Sequence, residues 1–84
     1  MQIRQLQQSN YNNSLLLEVE CVKNTTLKLK VFSTEGKIAK LFETNVHPGY
    51  QNLSFNVGDL SSGNYVLNAF FEEGFIKSIK FIKQ

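Results

Sequence analysis

The chain contains a single histidine, His47, and a single cysteine, Cys21. A catalytic imidazole needs a nucleophile or a carboxylate within hydrogen-bond reach. No neighbour in sequence supplies one, and His47 directly precedes Pro48 and Gly49 in a turn. It reads as a solvated ring. Cys21 falls in the apolar phase of an alternating segment and reads as a small buried hydrophobe. One cysteine and one histidine can form neither an internal disulfide nor a structural zinc site. Asp59, Glu72 and Glu73 lie in turn-prone stretches without the spacing of a cation-binding loop. No acid, base and nucleophile set can be named, so the chain reads as non-enzymatic and calls for no cofactor and no metal.

The lysines are the remaining chemical candidates. Lys28 and Lys30 share one face of a strand, and Lys77, Lys80 and Lys83 run along the last strand with Phe75 and Phe81. Aromatic residues interleaved with cations on a sheet can bind single-stranded nucleic acid. Strict alternation instead assigns Phe55, Phe75 and Phe81 to the core, which leaves the lysines on a solvated face and nucleic acid off the list of expected partners. Asn12-Asn13-Ser14, Asn24-Thr25-Thr26 and Asn52-Leu53-Ser54 match the glycosylation pattern, which is common by chance in an Asn-rich chain.

The elements that hold these residues have a period of two. Leu15, Leu17, Val19 and Cys21 alternate with Leu16, Glu18, Glu20 and Val22, and Leu27-Lys28-Leu29-Lys30-Val31 alternates more cleanly still. Ser33-Thr34-Glu35-Gly36 supplies a turn, after which Lys37 to about Thr44 can pair back as a hairpin. Its looser alternation predicts a bulge or an edge strand. His47-Pro48-Gly49-Tyr50 has the Pro-Gly order of a type II turn. Further strands are expected through Leu53, Phe55 and Val57, from Tyr65 to Phe71, and from Phe75 to Lys83, where Phe75, Lys77, Ile79 and Phe81 share one side. Six strands result, or seven if Tyr11 and its neighbours pair at an edge. Met1–Asn10 reads as a polar lead-in before a single domain over residues 11–84.

Length and composition agree with one small domain. The 84 residues are 42% hydrophobic with a formal net charge of +2, too little to demand a nucleic acid or an anionic membrane. Asn, Gln, Ser and Thr supply 26 residues, a polar surface of extracellular type. No run approaches the roughly 18 apolar residues of a membrane span, and the N-terminus lacks a signal-peptide h-region, so no membrane insertion is expected and an export signal would lie outside this sequence. Near-regular turns between short strands favour an all-β fold, an antiparallel Greek-key sandwich. Leu60-Ser61-Ser62-Gly63-Asn64-Tyr65 resembles the tyrosine corner of immunoglobulin-like sandwiches, in which the phenol bonds to backbone upstream. Tyr65 is therefore architectural.

Four motifs in order carry a resemblance to a known family. They are Asn10 to Val19, Leu29 to Ile38 with its Gly36-Lys37, Leu53 to Val57 followed by Leu60-Ser61-Ser62-Gly63-Asn64-Tyr65-Val66-Leu67, and Ile79-Lys80-Phe81-Ile82-Lys83-Gln84. Together, Tyr11 to Gln84 resembles the C-terminal sorting domain of the type IX secretion system of Bacteroidetes. Asn12 and Ser62 stand where that family commonly has proline.

The resemblance implies a non-enzymatic sorting signal. Its partners would be the translocon and a sortase-like peptidase, and its cargo an N-terminal domain absent from this chain. Its route would cross the periplasm to the cell surface or medium. Gly63, Tyr65, Lys80, Phe81, Ile82 and Lys83 are the candidate recognition residues. Gly36, Lys37, Leu60, Gly63 and Tyr65 form the structural motif. An exposed strand edge together with Lys80-Phe81-Ile82-Lys83 is the expected docking feature. The competing reading is an immunoglobulin-like adhesion or carbohydrate-binding accessory module, which requires an exposed aromatic platform such as Tyr50 could begin.

Overall fold

The structure, a computed structural model, describes residues 1–9, 13–72 and 74–84. Seven strands follow one another: β1 Gln2–Ser9, β2 Ser14–Cys21, β3 Thr25–Ser33, β4 Ile38–Val46, β5 Gly49–Asn56, β6 Gly63–Phe71 and β7 Gly74–Lys83. They form two antiparallel sheets, ordered β1-β2-β5 and β4-β3-β6-β7. The chain crosses between sheets after β2, after β4 and after β5, which generates the Greek key of an immunoglobulin-like sandwich.

Alternation decides what the sandwich buries. Leu15, Leu17, Val19 and Cys21 of β2 face Leu27, Leu29 and Val31 of β3 and Leu67 and Ala69 of β6 inside one core. Lys28 and Lys30, one residue out of phase, are exposed. Phe42 of β4 meets Phe55 of β5 across the sheets, ring centroids 4.9 Å apart. The looser alternation of the fourth strand has its cause in both features expected of it. β4 ends its sheet, and its register with β3 shifts between Val31 and Phe32. The link from β4 to β5 is fastened by Gln51, which donates to the His47 carbonyl at 2.6 Å and accepts from the His47 N–H at 3.2 Å. The Cys21 thiol donates to the same carbonyl at 2.8 Å.

Two expectations need correction. The segment read as a polar lead-in contains β1, paired with β2 from Gln2↔Glu20 to Ser9↔Ser14. Ile3 is its one buried apolar residue among those described, and its backbone pairs along β2. The seventh strand is therefore Gln2–Ser9; Tyr11, where it was expected, lies outside the described residues, as do Asn10, Asn12 and Glu73.

The second correction concerns Phe75. It is 59% exposed, whereas Ile76 packs against the core. The β6–β7 register shifts between Ala69 and Phe70, from Ala69↔Lys77 to Phe70↔Phe75. The one extra residue in β7, Ile76, inverts the facing of what precedes it. Phe55 and Phe81 are buried as expected.

Candidate recognition surface

The tyrosine corner is formed. Tyr65 opens β6 beyond the link from β5, and its hydroxyl donates to the Ser61 carbonyl at 2.6 Å. Its ring stacks on Phe81 of β7, centroids 5.5 Å apart and planes 19° apart. Leu60, in the link before Tyr65, packs against the core, and its N–H bonds to the Val57 carbonyl at 3.1 Å.

Two stretches far apart in sequence meet here strand to strand. Gly63 pairs with Lys83, Asn64 with Ile82 and Tyr65 with Phe81. Gly63 has φ +153°, a backbone conformation that a Cβ would strain. Alternation then sorts the six candidate residues into two roles. Tyr65 and Phe81 are buried, and what remains of their surface forms part of a groove wall rather than a projecting contact. Lys80 and Ile82 face outward, Ile82 with 53% of its surface exposed, and Lys83 is half-buried at the strand end. Around them lies an open groove of about 520 Å³, lined by Tyr65, Val66, Lys80, Phe81 and Ile82 with Gln5 of β1, Thr34 and Asn64. β7 ends its sheet, so no strand of that sheet lies beyond it among the described residues.

Gly36 and Lys37 are not part of the groove's lining. They close the β3–β4 turn, where Gly36 takes φ +80° and donates to the Ser33 carbonyl at 3.0 Å. Only Thr34 of that turn reaches the groove.

Lys77 has a role that its sequence neighbours do not signal. Its ammonium donates to the Ile3 carbonyl at 3.0 Å, a cross-sheet tie between β7 and β1. Such a tie occupies one backbone acceptor on an edge strand.

Elsewhere the charges form surface pairs. Lys23 meets Glu72 at 2.5 Å, joining two turns at one end of the sandwich, and Arg4 pairs with Glu18. Lys40 donates to Asp59 at 2.6 Å, and that hydrogen bond holds the Asp59 carboxyl below its ordinary range. The Tyr50 phenol is pushed above its ordinary value by its hydrogen bond to Glu20 and by the charge of that carboxylate. Tyr50, 69% exposed, shares its surroundings with Gln2, Arg4, Glu18 and Glu20. Among the described residues the other exposed aromatic side chain is Phe75, which lies on the opposite sheet, so Tyr50 does not extend into an aromatic platform with it. Among the described residues, no group of three or more His, Cys, Asp or Glu is placed to hold a metal ion. No described helix is long and apolar enough to cross a membrane.

The family model described as the secretion system C-terminal sorting domain matches residues 9–84. The chain belongs to this family. It is thus a sorting domain of the type IX secretion system, and a domain of this family marks export to the cell surface or extracellular space. The match spans β2 to β7 and meets β1 only at Ser9. No curated protein and no solved structure matches the chain. The sorting-domain family is not known as catalytic.

Proposed function

We propose that this domain acts, without catalysis, as a folded C-terminal address. The outward side chains of its last strand, Lys80 and Ile82, together with Lys83 half-buried at the strand end, are read by the type IX translocon as cargo leaves the periplasm. Gly63, Tyr65 and Phe81 position that strand and make no contact of their own. A sortase-like peptidase acting near the N-terminal side, where the cargo would precede the domain, completes the route. The observation that carries the reading is the cross-strand pairing of the Gly63-Asn64-Tyr65 block with Phe81-Ile82-Lys83. It joins the two motifs into one groove at a sheet edge, and open sheet edges are natural docking features.

Removing Phe81–Gln84 cannot test this, because Phe81 is 3% exposed and the truncation would open the core. The test uses surface changes. A signal peptide and fluorescent reporter are placed before Met1–Gln84, and delivery is compared between a secretion-competent Bacteroidetes host and its type IX mutant. Delivery confined to the competent host, and lost in a Lys80→Glu/Ile82→Ser/Lys83→Glu variant that still melts cooperatively, is the expected result. Equal delivery of wild type in both hosts would reject the sorting reading. Unimpaired delivery of the variant would reject the terminal-strand assignment.

A further inference from the structure

The two outer faces of the sandwich differ in charge and in apolar content. On the face of the β1-β2-β5 sheet, Arg4 pairs with Glu18, and Glu20 sits beside Tyr50. The face of the β4-β3-β6-β7 sheet has the opposite sign. Its rows read Ile38, Phe32, Val66 and Lys80; then Leu41, Lys30, Asn68 and Ser78; then Glu43, Lys28, Phe70 and Phe75. Lys28 and Lys30 lie between its two apolar ends, Lys80 stands on the β7 edge itself, and Glu43 is the only acid in those rows. Leu41 is 61% exposed on the β4 side, and Phe75 stands on the β7 side edge-on to Phe70, ring centroids 5.8 Å apart. Lys30 lies over the Phe70 ring at 5.1 Å. Apolar anchors among charged groups on a flat surface have the composition of a protein contact.

We infer that this whole sheet face, beyond the terminal strand, docks on a protein surface bearing carboxylates between apolar side chains, carried by the secretion machinery. The inference rests on the sorting function proposed above. Charge selects the partner's sign. Two copies meeting through this face would oppose three lysines with three lysines, which disfavours a symmetric pair. The polar centre selects protein over membrane. Ser78 donates to Asn68 at 2.5 Å on the strands that also carry Phe75 and Phe70, so sinking the apolar residues of this face into lipid would drag this pair and Glu43 out of water. A protein partner can place polar groups there.

The decisive positions are Lys30 and Leu41, cross-strand neighbours on β3 and β4. One strand, β6, separates Lys30 from β7, two strand spacings or about 10 Å, so a defect there is not a defect of the terminal strand. Neither change places like charges opposite each other, whereas Lys28→Glu would face Glu43.

The Lys30→Glu/Leu41→Ser variant is compared with wild type in the reporter assay, with thermal melting of each purified chain as the folding control. Delivery is expected to fall at least about tenfold, the change produced by losing one well-buried contact. A photocrosslinker replacing Leu41 should give a protein adduct in the competent host whose yield falls with added salt, and one replacing Asn52 on the opposite face should not. If the double variant melts early, Lys30→Gln/Leu41→Thr takes its place, since threonine suits an edge strand. Wild-type delivery by a folded variant overturns the inference while leaving the sorting function intact. Wild-type chain that is not delivered, or is delivered equally in the type IX mutant, overturns both. Sedimentation with phosphatidylglycerol vesicles, or self-association, that the variant abolishes would assign the face to lipid or to a second copy and overturn the protein partner.

Discussion

Replacing Tyr65 with phenylalanine separates architecture from recognition at the tyrosine corner. The substitution deletes one hydroxyl and leaves the ring stacked on Phe81. What is lost is a 2.6 Å hydrogen bond to the Ser61 carbonyl, which closes the link between the two sheets. Ser61 is exposed, so water can satisfy the abandoned carbonyl and no buried acceptor is orphaned. The cost is then the net value of the bond, about 1 kcal/mol, without an added desolvation penalty. For a domain of this size that corresponds to a fall of roughly 4–8 °C in Tm. Tyr65→Ala would remove the ring as well, at about 3–5 kcal/mol, a large share of the total of roughly 4–13 kcal/mol expected for such a chain. Urea unfolding is the assay, and the midpoint should drop while the slope is unchanged, because the same surface is exposed on unfolding. An unshifted midpoint would show that the corner bond adds nothing. Lost delivery of the reporter at unchanged stability would show that the phenol itself meets a partner, and the division into positioning and presenting residues would fall.

Further expectations follow from the same geometry. Gly63→Ala puts a Cβ on a backbone at φ +153° and should destabilise by about 1–3 kcal/mol, read as a lower urea midpoint, even though nothing crowds the site. Lys77→Met removes the tie to the Ile3 carbonyl, so amide exchange should quicken across β1 and stay slow in β3 and β6; uniform acceleration would contradict a local tie. Glu20→Gln removes both leading causes of the raised Tyr50 phenol, so its phenolate absorbance should appear at lower pH than in wild type. Because the folded value is raised, the interaction stabilises below the ordinary tyrosine range and is lost as pH climbs through the folded one. An alkaline unfolding curve unchanged by Glu20→Gln would refute the link.

The parts of the molecule legible in sequence are those in which each residue's facing follows from its own strand. Leu27-Lys28-Leu29-Lys30-Val31 declares one buried and one wet face, and the five side chains divide that way. The corner was legible too, since Tyr65 bonds to a residue only four positions upstream. Two features were hidden for physical reasons. β1 has the sequence QIRQLQQS, whose Ile3 and Leu6 are three apart. Its pairing with β2 shifts register between Gln5 and Gln7, and a side chain 74 residues away reaches its backbone. Phe75 departs from its strand's alternation because a single inserted residue in β7 inverts what precedes it, and no local pattern announces which residue a bulge will take.

The same alternation explains why a terminal address can be built from four residues and still report on a whole domain. In Lys80-Phe81-Ile82-Lys83, the outward groups gain a fixed direction only when Phe81 enters the core and stacks on Tyr65. Tyr65 takes its position from the corner bond to Ser61, and the corner exists only once both sheets have closed. The presenting side chains are thus conditional on non-local pairing that a partly folded chain lacks. On the proposed function, a translocon reading Lys80, Ile82 and Lys83 in their relative orientation would be reading completed folding. Mutations that loosen the core without touching the surface, such as Leu67→Ala beneath β6, should therefore reduce delivery in proportion to the unfolded fraction. Delivery that stayed constant as stability fell towards zero would mean that the address is read as extended peptide.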